Sequence, residues 1–193
     1  MRKWICVPMM TFFLLTACGR SEEMDVRAAY REMTGCTMEA VVSCQQGESI
    51  WEAELRCDYV PEGESTVEVL APETIQGVRA KLDPETWILE YEDACLNAGP
   101  VGARELSPAA CLPRLMSALR DGWLLEENRE NWGETSCHRL TVDQTGSDGG
   151  KILSTLWLRE EDGHPVRGEI AVDGEIILTA EFTEFSFHDI IQE

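Results

Sequence analysis

Basic residues are scarce in this chain, which has 16 Lys and Arg against 36 Asp and Glu and a formal net charge of −20. Binding to nucleic-acid phosphates needs clustered Lys and Arg, so the composition argues against a nucleic-acid partner. It also argues against adhesion to an anionic membrane by surface charge alone. Apolar residues are plentiful, at 44% of 193 residues, and that fraction is sufficient for the core of one folded domain.

Motifs for chemistry are missing as well. His138, His164 and His188 lie far apart, without HExxH or HxxxH spacing, and there is no CxxC pair. A zinc site needs three or four converging ligands. Cys137 and His138 are adjacent on a predicted strand, so they point to opposite faces and the sequence predicts no metal site. The chain also lacks GxSxG, P-loop, GxGxxG and DxDxDG motifs. We therefore predict no catalytic residue and no cofactor, and an enzyme ranks behind two kinds of binding protein.

The N-terminus has the pattern of a secretory signal. Arg2 and Lys3 precede an apolar stretch, 4–15, which is too short for a bilayer span of ~20 apolar residues. The stretch ends in Leu15-Thr16-Ala17-Cys18-Gly19, which resembles the bacterial lipobox. That resemblance implies cleavage before Cys18 and diacylation of its sulfur. The alternative is a plain signal peptide with a chance cysteine.

These patterns divide the chain into a signal peptide (1–17), a lipidated cysteine with a tether (18–23) and one domain (24–193). Cleavage removes two basic residues and no acidic residue, so the mature charge becomes −22. Two acyl chains hold a protein firmly where one chain does not. The sequence therefore predicts a bacterial lipoprotein anchored through diacylglycerol on Cys18, at the extracytoplasmic face of the cell membrane.

The mature chain has mostly strand patterns. Residues 51–59 alternate apolar and charged side chains, which is typical of a half-buried antiparallel strand. Cys36–Cys44 is predicted as the preceding strand, joined to the next by a turn at 45–48. Asp173-Gly174 is a two-residue hairpin signal near the end of the chain. About nine or ten strands and two helices follow from such patterns, which is an α+β domain with an antiparallel sheet.

The two helices are predicted at 22–33, with Ser21 as N-cap, and in the middle of the chain after Ser107. In the mid-chain helix, apolar residues recur at i, i+3, i+4 and i+7, and Pro108 suits its first position. Gly122 suits the position just after its end. Pro113 lacks an N–H, so either the helix is kinked there or the true helix starts at Leu112. The apolar stripe consists of Leu112, Leu115, Met116 and Leu119.

The order of these elements is similar to that of a known family. A helix precedes a long meander, a second helix is inserted mid-chain, and long strands close the domain. The closing strands contain Leu156-Trp157-Leu158-Arg159, His164-Pro165-Val166-Arg167, Glu169-Ile170 and Phe182-Thr183-Glu184-Phe185. Over residues 24–187 this order resembles the LolA-like lipoprotein-carrier superfamily. The resemblance implies a strongly curved, open antiparallel sheet, a half-barrel, around an apolar cavity covered by the N-terminal and mid-chain helices.

One departure from that superfamily matters for function. Its soluble periplasmic carrier has no lipid anchor, whereas this chain has the lipobox-like sequence ending at Cys18. Shuttling across a periplasm is therefore disfavoured. The resemblance is closer in kind to anchored relatives, including a spore-germination lipoprotein that binds an amidase.

Six cysteines remain outside the signal and Cys18. If residues 45–48 form the first hairpin loop, Cys36 lies opposite Cys57, close enough for a disulfide after a modest adjustment. Cys95 and Cys111 flank the loop before the mid-chain helix and form a second candidate pair. The alternative is that these cysteines are free, buried thiols.

Two functions follow from this interpretation. In the first, apolar side chains line a cavity for a lipid or for the acyl chain of another lipoprotein. In the second, the domain has no small ligand, and its sheet docks a cell-envelope protein by strand addition or face contact. Core packing is the alternative role for the same side chains. The predicted cavity residues are Trp51, Leu55, Tyr59, Val67, Val69, Trp157 and Phe182.

Overall fold

The computed structural model describes residues 25–46, 49–83, 86–99, 107–145 and 150–188. The signal peptide, Cys18, the tether and the N-cap predicted at Ser21 lie outside the described residues. Among the residues described, no helix is both long and apolar enough to cross a membrane.

Eleven strands and two helices make up the described part of the domain. The helices are α1 (Ala28–Glu32) and α2 (Cys111–Asp121), and a 3₁₀ turn (Pro108–Ala110) leads into α2. The strands are β1 (Cys36–Gln46), β2 (Ser49–Tyr59), β3 (Ser65–Ala71), β4 (Arg79–Leu82), β5 (Trp87–Tyr91), β6 (Ala94–Gly99), β7 (Trp123–Trp132), β8 (Thr135–Asp143), β9 (Ile152–Arg159), β10 (Pro165–Val172) and β11 (Glu175–Phe187).

All eleven strands belong to one antiparallel sheet, in the order β6-β5-β4-β3-β2-β1-β11-β10-β9-β8-β7. The sheet has two halves, β1–β6 and β7–β11, and within each half strands that are consecutive in the chain are adjacent in the sheet. The pairing of β1 with β11 joins the two halves. The sheet does not close, because β6 and β7 are its two edges and α2 lies in the connection between them. The predicted fold class, an α+β open half-barrel, is confirmed.

Alternation along the central strands gives the sheet one apolar face. On β2, Ala53, Leu55, Cys57 and Tyr59 are buried, and the charged residues between them are not. This is the alternation that the sequence predicts. The Asp173-Gly174 turn is also confirmed, since both residues have positive φ, 51° and 91°, as a type I′ turn requires.

Helix α2 lies across the apolar face of the sheet. Its stripe of Leu112, Leu115, Met116 and Leu119 is fully buried in the core. The chain enters through the 3₁₀ turn, where the Ser107 hydroxyl accepts a hydrogen bond from the Ala109 N–H. Because α2 begins at Cys111, Pro113 occupies its first turn, where an N–H has no partner within the helix. The proline therefore fits without breaking the helix.

Glycines allow the sheet to approach α2 closely. Gly122 follows the last residue of α2, as the sequence predicts, and its backbone is extended, with φ −69°. Its role is steric, because a Cβ there would overlap the Val142 side chain. At Gly168 on β10, a Cβ would lie 2.6 Å from Leu115 Cδ1.

Arg27 holds the end of α2. Its Nε donates to the Leu119 carbonyl at 2.6 Å, and its Nη2 donates to the carbonyls of Gly122 at 2.8 Å and Ala118 at 3.2 Å. The last carbonyls of a helix have no partner within it, so the guanidinium satisfies groups that are otherwise unpaired. The residue is only 4% exposed, and this burial lowers the pKa of Arg27.

The N-terminal helix is shorter than predicted, since α1 begins only at Ala28. The preceding residues Asp25–Arg27 are not helical, and this places the Arg27 guanidinium against α2. Tyr30 of α1 is fully buried, and its hydroxyl donates to the Gly163 carbonyl at 2.7 Å. Thus α1 connects α2 to the turn between β9 and β10.

Both edge strands differ from the prediction. The sequence predicts a loop from Asn97, where β6 continues to Gly99, and only a short segment at Trp123–Leu125, where β7 runs to Trp132. Most of β7 is exposed, so its side chains lack the alternation by which half-buried strands are recognised.

We predict that Arg27→Met lowers the free energy of unfolding by about 3 kcal/mol, because three carbonyls lose a charged donor while the side-chain volume is nearly kept. Urea denaturation measures this loss. Arg31→Met is the control, since it removes only the exposed ion pair with Asp25, a loss of less than about 1 kcal/mol. Equal losses in the two variants would show that Arg27 does not hold α2.

Candidate functional site: an apolar cavity beside the 3₁₀ turn

A cavity of about 220 Å³ lies between the apolar face of strands β2–β5 and the 3₁₀ turn. Its walls are almost entirely aliphatic and aromatic, and Ser107 is the one hydroxyl-bearing residue among those that line it. The rest of the concave face is covered by α2. An apolar cavity of this kind suits an apolar ligand.

Four of the seven predicted cavity residues meet in this cavity: Trp51, Leu55, Val67 and Val69. They come from β2 and β3, where Leu55 lies directly opposite Val69. The sequence prediction omits the remaining lining residues, although the alternation in β4 is the signal that could have found Ala80, and Leu89 lies opposite Ala80 on β5. These remaining residues are Ile75, Val78, Ala80, Leu89, Ser107, Pro108 and Ala109.

Tyr59 does not line the cavity, which corrects the prediction. It lies at the far end of β2, where its hydroxyl is 3.1 Å from the Ser117 hydroxyl on α2. Burial raises the pKa of Tyr59. Its role is therefore to pack α2 against the sheet.

Trp157 lies on the opposite face of the sheet, so the prediction for this residue is wrong. Leu156 and Leu158 face the core, and the residue between them on a strand must face outward. Trp157 is nevertheless only 5% exposed, because Trp132 stacks beside it with ring centroids 5.5 Å apart. Its indole N–H donates to the Glu130 carboxylate, and the Arg167 guanidinium lies 4.4 Å from the Trp132 ring centre.

Phe182 is also outside the cavity. It pairs with Ala40 across β1 and β11 and packs against the core while partly buried. Two strands, β1 and β2, separate β11 from β3 in the sheet. The register shifts beside Phe182, and the phenylalanines farther along β11 pack around Tyr30 instead.

The predicted Cys36–Cys57 disulfide depends on the pairing register of β1 and β2, and that predicted register is wrong by two residues. Strand β1 continues to Gln46, which pairs with Ser49, so Cys36 lies opposite Tyr59 and Cys57 lies opposite Met38. Cys95 is exposed on the edge strand β6, and Cys111 is buried at the start of α2. All four are unpaired in the structure.

Burial keeps the inner thiols protonated. Desolvation raises the pKa of Cys36 and that of Cys111 to about 12, and it raises the pKa of Cys57 well above its ordinary value. A thiol reacts as its thiolate. These buried cysteines therefore behave as small apolar core residues.

The titratable side chains of the described residues do not form a metal centre, since no group of three or more of them could hold an ion. One buried titratable group is His138, whose Nδ1 lies 3.4 Å from the Glu127 carboxylate and whose Nε2 lies 4.0 Å from that of Glu160. Cys137 faces the other side of the strand, with its Sγ 3.5 Å from the Thr135 carbonyl. Cys137 and His138 are therefore not placed to act together.

Comparison with known proteins gives structural matches only. The sequence matches no family model and no curated protein. Solved structures that match include a LolA superfamily protein from Nitrosomonas europaea, with 10% identity over 86% of this chain and 91% of that chain and a TM-score of 0.46. LprF from Mycobacterium bovis matches with 15% identity over 88% and 93% of the two chains and a TM-score of 0.48.

A third match is a chain from the complex of the CwlD amidase with the GerS lipoprotein of Clostridioides difficile, with 12% identity over 81% and 88% of the two chains and a TM-score of 0.41. The LolA superfamily, which the order of elements resembles, is thus among the matching structures. Similarity at these identities and TM-scores describes architecture alone.

We predict that Cys95 is the fast-reacting thiol of the native domain. A maleimide added at pH 8 modifies Cys95, whereas Cys36, Cys57 and Cys111 are modified only after unfolding. Peptide mass spectrometry identifies the labelled residues. Cysteines that resist labelling after unfolding without reductant, but react after reduction, would show that disulfides are present.

Proposed function

We propose that this protein is a non-enzymatic, lipid-anchored binding protein of the extracytoplasmic face, and that its cavity takes a single apolar chain. The observation that carries the proposal is the cavity of about 220 Å³ with an apolar lining. It lies on the face that the half-barrel encloses, and its walls belong to strands fixed by hairpin pairing. A preformed apolar cavity binds its ligand without the entropic cost of ordering the binding site.

Size defines which ligand fits. The cavity volume of about 220 Å³ exceeds that of the ~150 Å³ cavity that binds benzene. It is smaller than the ≈ 300–1,000 Å³ of drug-sized sites. One end of a single acyl chain fits this volume, and a diacyl lipid does not. The acyl end of another lipoprotein and a free fatty acid share this chemistry.

The apolar surface continues from the cavity toward the edge of the sheet. Leu89 lines the cavity and pairs with Leu96 on β6, and directly opposite residues share a face. Leu96 is 62% exposed. A chain longer than the cavity therefore has an apolar path over Leu89 and Leu96 to solvent.

Membrane attachment rests on the lipobox-like sequence at Cys18. With residues 1–17 removed, two acyl chains on this cysteine are sufficient to hold the protein at the membrane. The anchor keeps the cavity near a source of acyl chains. A fixed anchor is suited to local capture or presentation of a chain.

Filling the cavity tests the proposal. We predict that Val69→Trp weakens binding of a fluorescent fatty acid about tenfold or more, because each CH₂ kept out of the cavity loses ~0.8 kcal/mol of burial. The matched control is Val41→Trp on the outward-facing side of β1, which leaves affinity unchanged. Fluorescence titration measures both variants against the unmodified protein.

Native mass spectrometry of the protein purified from membranes adds an independent test, with one bound chain expected for each protein. Equal affinity in the Val69→Trp and Val41→Trp variants, or no bound chain and no uptake, would overturn the proposed ligand.

A second candidate function is docking of a cell-envelope protein, and the edge strand β6 favours it. A strand with one unpaired edge can accept another strand by backbone hydrogen bonding. Leu96 and Cys95 on this strand are both exposed. The apolar side chain offers a contact for a partner strand.

Cys95 also supplies the test of this second function. A photo-crosslinker attached to Cys95 in isolated membranes is expected to yield one defined adduct with an envelope protein, absent in Cys95→Ser. Crosslinking that yields no defined adduct would leave the apolar ligand as the better account.

A further inference from the structure

An exposed tryptophan stands at the end of the domain where the described chain begins. Trp123 is 76% exposed and follows Gly122, whose carbonyl is bound by Arg27. The same surface includes Arg31, Arg120 and Leu124. We call the surface formed by Arg27, Arg31, Arg120, Trp123 and Leu124 the arginine end.

The exposed cations of the arginine end are paired with acidic side chains. Arg31 pairs with Asp25, and Arg120 pairs with Glu62 at 3.0 Å and with Asp121 at 3.8 Å. Two surface arginines are therefore paired with acidic side chains, and the buried Arg27 guanidinium adds a third positive charge close by. An acidic surface is repelled by anionic lipid headgroups, and paired charges at this end reduce that repulsion.

The tether fixes which end of the domain can reach the lipid. Seven residues, 18–24, join Cys18 to Asp25, and a chain of that length spans at most ~25 Å. Their ionisable residues, Arg20, Glu22 and Glu23, add a net charge of −1. The arginine end is therefore confined close to the membrane to which Cys18 is attached.

We infer that the arginine end rests on the membrane, with the Trp123 indole at the headgroup level. This inference rests on the proposed lipid anchor at Cys18. Tryptophan is enriched at membrane–water interfaces, where the ring is apolar and its N–H remains hydrated. The orientation places the far end of β7 and its Trp132 away from the lipid.

Depth-resolved quenching tests this orientation with a control from the same strand. Trp123 and Trp132 are the first and last residues of β7, and a ten-residue strand holds its ends ~30 Å apart. The mature, acylated protein is reconstituted into phosphatidylcholine vesicles with brominated acyl chains, which quench tryptophans close to the bilayer. Fluorescence is compared for the unmodified protein, Trp123→Phe, Trp132→Phe and Trp51→Phe.

We expect Trp123→Phe to remove most of the bromine-dependent quenching and Trp132→Phe to leave it unchanged. Trp51→Phe measures any quenching by lipid chains inside the cavity, and that contribution is counted separately. Unchanged quenching in Trp123→Phe would overturn the inference without affecting the proposed anchor. It would instead favour contact of Trp123 with a protein partner. Absence of acylation at Cys18, measured by intact mass, would overturn the proposed anchor and the inference with it.

Discussion

The structure depends on how an eleven-stranded open sheet covers its apolar face. A sheet with one apolar face must bury it against another element, and α2 is the element that does so. Arg27 fixes the C-terminal end of α2 by three backbone carbonyls. Because α1 follows Arg27 directly, the same contact joins the N-terminal segment to the core. The position of α2 therefore determines both the shape of the interior and where the described chain begins.

The cavity is a consequence of where α2 begins. The helix fills the space beside the central strands with leucine and methionine side chains. Over β2–β5 the cover is the 3₁₀ turn instead, whose residues Pro108–Ala110 are small. Small residues opposite a wide apolar face leave space, and β3, β4 and β5 contribute apolar walls to that space. A cavity of this origin is limited in size, and this limit is the reason that the proposed ligand is a single chain.

Much of the fold could be predicted from the sequence because one face of the central strands is buried. The alternation in β2, the stripe of α2 and the Asp173-Gly174 turn each reflect a local rule. The register of β1 and β2 could not be predicted so well. A shift of two residues leaves every side chain on its original face, so the hydrophobic pattern is identical for both registers and only the loop length distinguishes them.

The candidate site, like the fold, could be predicted from the sequence only in part. Val67 and Val69 were predicted because they alternate on a strand, and alternation also places Trp157 on the outer face. The prediction for Trp157 is wrong because the alternation of the strand, and not the aromatic character of the residue, decides which face its side chain occupies. The contribution of the 3₁₀ turn could not be predicted, since its position over β2–β5 depends on contacts between residues far apart in the chain.

The acidic residues mostly lie on the outer face of the sheet. Exposed ion pairs form there between Arg56 and Glu39 at 2.7 Å and between Lys81 and Glu90 at 2.8 Å.

A crystal structure of the protein with a fatty acid that carries bromine at its methyl end would test the account most directly. The anomalous signal of bromine locates the end of the chain without interpretation of weak density. The account predicts one bromine peak between Trp51, Val69 and the 3₁₀ turn. A peak elsewhere on the domain, or a cavity that remains empty at saturating fatty acid, would contradict it.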